Sequence, residues 1–182
     1  KKKNLKILEL GCGNGVNLKS LKSIFPKFEF YGIDYSKEMI KHAKKNNNNI
    51  NFIEADITKT NIYNELPKFD VIFTNRCLIN LKSENKINLA ISKSEYLLKK
   101  GGYFIFLENF LNGHRNQNKL RKILNLRFRK VAKFNKFLEE KSFLNFLKKY
   151  FKILENVNYS SLNDLLLYVL MPRNSSKINY NS

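Results

Sequence analysis

Along the first hundred residues, short apolar runs alternate with polar stretches whose apolar positions recur at helical spacing. The first run starts near Leu5 and ends as Ile7-Leu8-Glu9-Leu10, directly before a glycine. Phe28 to Ile33, Ile50 to Glu54 and Phe69 to Asn75 follow. Near-continuous apolar runs of this length predict strands buried on both faces. Between them, Val16 to Phe25, Lys37 to Lys45 and Glu84 to Leu98 read as helices. The last carries Ile87, Ala90, Ile91, Tyr96 and Leu97-Leu98 on near-helical positions, and Ser36 stands where the second would be capped. Leu97 to Glu108 reads as a helix end, a Gly101-Gly102 stop and a fifth strand. Strand-helix alternation predicts an α/β fold with a parallel sheet and right-handed crossovers.

After Glu108 the rhythm breaks. Asn116 to Phe128 reads as a basic helix and Phe137 to Tyr150 as another. The stripe Phe137, Leu138, Phe143, Leu144, Phe146 and Leu147 is read as core packing rather than a base-stacking platform. Phe151 to Val157 and Leu165 to Leu170 read as two closing strands, and residues 173–182 as a loose tail. A single domain over residues 1–172 is expected; the chain shows no internal repeats.

The most specific chemistry lies in Glu9-Leu10-Gly11-Cys12-Gly13-Asn14-Gly15. Glycines on alternate positions between a strand and a helix bring bare backbone N–H groups close to a ligand. The spacing is G-x-G-x-G, not the G-x-G-x-x-G of dinucleotide folds. Asp34 closes the second strand about 20 residues on, where a carboxylate accepts hydrogen bonds from two ribose hydroxyls. Asp34 also sits where it would serve a helix start, and the two readings are compatible. With Asp56-Ile57 after the third strand, Asn75 at the tip of the fourth and the leucine-lysine-glycine-glycine turn, the chain resembles class I S-adenosylmethionine-dependent methyltransferases. The resemblance implies a Rossmann-like three-layer sandwich, sheet order 3-2-1-4-5-7-6, with a C-terminal antiparallel hairpin. It implies S-adenosylmethionine held by Glu9, Gly11, Cys12, Gly13, Gly15, Asp34, Tyr35, Asp56, Ile57 and Asn75. Enzymes of this class usually carry a helical lead-in before the first strand; here it is expected to be missing, the chain being either a fragment or one that lacks its lid segment.

The acceptor side is less sharply marked. Asn75 is followed by Arg76-Cys77-Leu78, without the proline and aromatic of the amino-methylating enzymes of DNA, so nothing would stack on a flipped base. The stretch Thr74 to Leu81 is similar to a branch of small-molecule methyltransferases associated with surface-polysaccharide and related biosynthesis. Glu108, Gly113, Asn118, Arg121 and Phe134-Asn135 have compatible spacing, though Gln117 replaces the branch's leucine. This likeness implies that Arg76, Asn80, Asn118, Arg121 and Asn135 line the acceptor site. Glu108 and His114 are the candidate bases, and Arg121 the candidate clamp for an anion. The bland alternatives stay open: Glu108 capping the next loop, His114 on a mobile loop, Arg121 as a solvated charge.

Composition changes this picture little. The net charge of +19 suits a polyanion partner, but lysine, asparagine, isoleucine and phenylalanine are over-used together, the mix A/T-rich codons produce. A small, sugar-like or anionic acceptor is therefore preferred. The competing functions are RNA modification through Lys119 to Lys133, or a non-enzymatic module with a relic site. Cys12 and Cys77 are too few for a disulfide framework or a metal site, no metal is expected, and a reducing, cytoplasmic setting fits. No apolar run approaches the ~20 residues of a membrane span.

Overall fold

The computed structural model describes residues 4–59 and 61–158. The chain divides into two compact units. The first holds the described residues up to 108 together with Phe134–Lys136; the second holds Asn109–Lys133 and the described residues from 137 on.

In the first unit the apolar runs become β1 (Lys6–Leu10), β2 (Glu29–Asp34), β3 (Asn51–Glu54), β4 (Phe69–Asn75) and β5 (Leu98–Leu107). They form one sheet in the order β3-β2-β1-β4-β5, with all four pairings parallel. Helices α1 (Val16–Ile24), α2 (Lys37–Asn46) and α3 (Glu84–Tyr96) connect them. Because side chains alternate across a strand, the sheet feeds two cores. Leu8, Leu10 and Ile72 pack with Ala90 of α3, whereas Ile7, Phe30, Phe52 and Phe73 pack with Leu18 of α1 and Ile40 and Ala43 of α2. The unit is thus an α/β three-layer arrangement.

Ser36 caps α2 as expected, its hydroxyl accepting from Met39 N at 3.4 Å. Around Gly101-Gly102 the structure differs from the expected stop. Leu98 already pairs with Phe69, and the next partners are Tyr103 and Val71, so the glycines lie within a bulge inside β5. A Cβ on Gly102 would meet the Asp70 carbonyl at 3.0 Å, which explains why a bare residue stands there.

In the second unit, α4 spans Leu111–Ile123, five residues earlier than apolar spacing implied. It stops because Asn125 adopts φ 53° and the Leu126 amide returns to the Arg121 carbonyl at 2.8 Å, a left-handed C-terminal turn that asparagine tolerates. Helix α5 is Glu140–Leu147, shorter than expected at both ends. Glu139 caps it by accepting from Ser142 N at 2.7 Å, while Leu138 is extended and bridges in parallel to Phe110. Phe151 to Val157 belongs to no assigned strand among the described residues. Leu165 to Leu170 and the tail lie outside them, so the closing hairpin is not part of the described fold.

Candidate active site

A parallel sheet places the carboxyl ends of all its strands on one edge, the usual ligand-binding edge of such folds. Here that edge gathers Glu9 to Gly15, Asp34-Tyr35, Asp56-Ile57, Asn75 to Asn80 and Glu108 from five strand ends.

The glycine turn is built by contacts from both sides. Gly11 N and Cys12 N donate to the Ile33 carbonyl at 2.7 and 2.9 Å. Gly11, Gly13 and Gly15 take φ of 70°, 53° and 79°, the left-handed region where a side chain is strained. Their surroundings separate their roles. A Cβ on Gly11 would lie 2.4 Å from Cys77 Sγ, and one on Gly15 would lie 2.6 Å from the Phe52 ring; one on Gly13 would meet nothing within 4 Å. The outer glycines therefore serve packing, and the middle one faces open space. Asp34 fastens the turn to β2: its Oδ2 accepts from Gly13 N and its Oδ1 from Ser36 N, both at 2.9 Å.

Glu9 is fully buried. Asn17, on the first turn of α1, donates its Nδ2 to Glu9 Oε1 at 2.7 Å, while Oε2 is buried with no hydrogen-bond partner. Burial pushes the carboxyl up to about 7, against the Asn17 bond, with Asp34 adding to the rise. Asn17 was not singled out in the sequence. Its only signal is an amide two residues after a glycine cap, which periodicity treats as ordinary surface.

Asp56 closes a turn of its own, accepting from Thr58 N at 2.9 Å and Thr58 Oγ1 at 2.7 Å on the same oxygen. Burial alone would raise its carboxyl, but the Thr58 bonds bring it below the usual value. Ile57 is buried in the core with Tyr63, and Tyr35 is exposed.

Beyond β4 the backbone makes a tight 3₁₀ turn, Leu78–Asn80. Glu108 holds it. Its Oε1 accepts from Cys77 N and Leu78 N, each at 3.0 Å, and its Oε2 from Ile79 N at 3.4 Å. Burial raises this carboxyl despite the three amides. Arg76 sits at φ 53°, its N donating to the Leu107 carbonyl at 2.8 Å and its carbonyl accepting from Asn80 Nδ2 at 2.9 Å. Lys136 N reaches the Ile79 carbonyl, which brings Asn135 beside this loop with its Oδ1 buried and unpartnered. The thiols of Cys12 and Cys77 are buried and shifted upward by desolvation, so neither is an activated nucleophile.

His114, Asn118 and Arg121 belong to the second unit and are buried there. Asn118 Oδ1 accepts from Arg129 N at 2.8 Å, and its Nδ2 donates to the Arg129 carbonyl at 3.0 Å. Backbone partners cannot be exchanged, so they fix which end of the amide is which. The same Nδ2 lies 3.1 Å from His114 Nε2, while Nδ1 is buried without a partner. Desolvation, then the charge of Arg129, lowers the pKa of the ring against a bond to the Arg129 backbone. His114 is thus packed into the second unit, with Nε2 engaged. Arg121 is also engaged, its Nε donating to the Arg127 carbonyl at 2.8 Å.

Residues 1–149 match the family described as methyltransferase domain. The chain belongs to that family. The methyltransferase domain is 35% identical over 103 residues to malonyl-[acyl-carrier protein] O-methyltransferase 2 of Ilyobacter polytropus, covering 55% of this chain and 38% of that protein. Among solved structures, a Pyrococcus horikoshii protein aligns with TM-score 0.65 at 20% identity, covering 86% of this chain and 80% of its own. An S-adenosylmethionine-dependent methyltransferase of Clostridium acetobutylicum aligns with TM-score 0.63 at 21% identity, covering 86% and 77%. These likenesses establish the Rossmann-like methyltransferase fold. Among the described residues of the methyltransferase domain, no group of three His, Cys, Asp or Glu could hold a metal ion. No described helix is long and apolar enough to cross a membrane.

Proposed function

We propose that the protein transfers a methyl group from S-adenosylmethionine to a small acceptor at the carboxyl edge of its sheet. The observation that carries this reading is the orphaned, buried Oε2 of Glu9 in the same stretch as the open Gly13. A cationic ligand with an ammonium group would satisfy that oxygen, and Gly13 leaves room for close approach of backbone to ligand. The donor side then comprises Glu9, Gly11, Cys12, Gly13, Gly15, Asp34, Tyr35, Asp56, Ile57 and Asn75, with Gly11, Gly15 and Ile57 acting through packing. When bound, the donor supplies a methyl on a sulfonium, and the protein's task is to align the acceptor and exclude water.

Arg76, Asn80 and Asn135 form the acceptor side. Glu108 is a positioning residue there, since its carboxylate is occupied by three amides. Asn118 and Arg121 shape the second unit. Arg121 points inward and Arg129 bonds Gln117, so the basic residues from Lys119 to Lys133 do not all present one free face, which supports a small acceptor over RNA.

Calorimetry tests the donor site. Asp34→Ala should lose about 1.5–3 kcal/mol for each charge-assisted hydrogen bond to the donor. Unchanged affinity in a folded variant would remove Asp34 from the site. Glu108→Gln tests the acceptor side. A glutamine turns an N–H donor toward amides that need an acceptor, so the unfolding midpoint should fall by the equivalent of about 1–3 kcal/mol. Turnover should fall with it while the pH–rate profile keeps its shape; a lost limb in that profile with unchanged stability would restore Glu108 as a base.

A further inference from the structure

We infer that the acceptor is a carboxylate, held by Arg76 and methylated on oxygen to a neutral ester; this rests on the methyltransferase reading above. Three observations converge on it. First, Arg76 is a non-glycine residue in left-handed backbone at the tip of β4, a conformation that costs free energy and persists only where its surroundings impose it. Second, those surroundings are complete. Leu107 takes the Arg76 amide, Asn80 takes its carbonyl, and Glu108 takes the next three amides. Third, with the backbone so fixed, the Arg76 side chain is exposed and makes no hydrogen bond or ion pair among the described residues. A pinned backbone that presents an unpaired guanidinium is a prepared site for a planar oxyanion, whose two oxygens match the guanidinium fork. The anion clamp expected at Arg121 thus falls to Arg76.

The nucleophile follows from what surrounds it. A hydroxyl must lose a proton during methylation, which calls for a base; an amine exchanges its proton with solvent, but as an ammonium it would be repelled by the Arg76 guanidinium. Both bases expected from the sequence are committed: Glu108 to backbone amides, and His114 to a buried contact with Asn118. A carboxylate is ionised at neutral pH and needs none. Its oxygen lone pair forms the new bond to the methyl carbon as the carbon–sulfur bond breaks and leaves its electrons on sulfur. Anion and sulfonium become neutral ester and neutral thioether, and no proton is released.

The test incubates the purified protein with tritiated-methyl donor and cell extract, separated into small-molecule, protein and RNA fractions. The labelled product is then treated with alkali, and a pH indicator follows the reaction with the purified acceptor. Volatile tritiated methanol on alkali treatment, with no proton released per methyl, is the expected result. An alkali-stable label overturns the inference while leaving the methyltransferase reading intact, whether it comes from an alcohol, an amine or a phosphate ester. Absence of donor binding by calorimetry overturns both. Arg76→Gly gives a second readout. Glycine suits φ 53°, so the variant should unfold no earlier than wild type, yet lose about 10²-fold or more in kcat/KM with donor affinity unchanged. Arg76→Lys should fall between. If Arg76→Gly instead loses stability and activity in parallel, or methylates at the wild-type rate, Arg76 does not hold the acceptor.

Discussion

Gly11→Ala should cost about 2–5 kcal/mol of stability, the strain of left-handed backbone plus overpacking, whereas Gly13→Ala should cost only about 1 kcal/mol. The two glycines share a motif and a positive φ, so torsion alone predicts similar effects. Contacts separate them: a methyl at Gly11 would be driven into Cys77 at 2.4 Å from Sγ and 2.7 Å from Cβ, while one at Gly13 meets nothing. The ranking should reverse for ligand. Gly13→Ala should stay folded and lose donor affinity, because its methyl projects into the space where the donor's approach is proposed. Urea midpoints of both variants, with donor calorimetry on Gly13→Ala, check this. Equal midpoints would mean that Cys77 yields readily.

The second large effect is a dependence of stability on pH. Glu9 ionises near 4.5 in the unfolded chain and near about 7 when folded, because burial disfavours its charge. The folded state therefore holds the proton more tightly. Its contribution is fully present below about 4.5 and is lost as pH rises through about 7. At ~1.4 kcal/mol per pH unit the loss is roughly 3 kcal/mol. Glu9→Gln removes the titration, so the difference in unfolding free energy between variant and wild type should change across that window and be flat above it. A ligand cation that pairs with the orphaned oxygen would favour the ionised form. Donor affinity in wild type should then climb with pH toward about 7, and binding below it should release a proton, which calorimetry in buffers of different ionisation enthalpy reads directly. A pH-independent difference between the two proteins would refute the assignment.

These expectations show what the sequence made legible. Buried parallel strands are nearly continuous apolar runs, so β1 to β5 could be located from composition alone, and the residues at their ends followed. Ser36 was legible as the cap of α2, because a helix start is a local feature. The remainder depends on pairing across the sheet. Nothing in the neighbourhood of Glu108 announces three amides from the β4 loop; they arrive because β5 pairs with β4. Asn118, which meets His114, is oriented by the backbone of Arg129, a pairing no local pattern encodes. Helix α4 was displaced because its stop is a conformation at Asn125 rather than a glycine or proline that a reader would notice. Arg121 looked like one more basic residue until the chain past that stop returned the Arg127 carbonyl to it.

The contact between Gly11 and Cys77 bears on how such a domain can diverge. The glycine turn is not a portable cassette. The bare α-carbon of Gly11 leaves a space that Cys77 fills, and Cys77 begins the loop that Glu108 holds. A bulkier residue at position 77 would push on the turn, and a side chain at position 11 would push on the loop. Substitutions in the loop after β4 are thus filtered by the glycine turn, and position 77 is confined to small residues for as long as the turn keeps its shape.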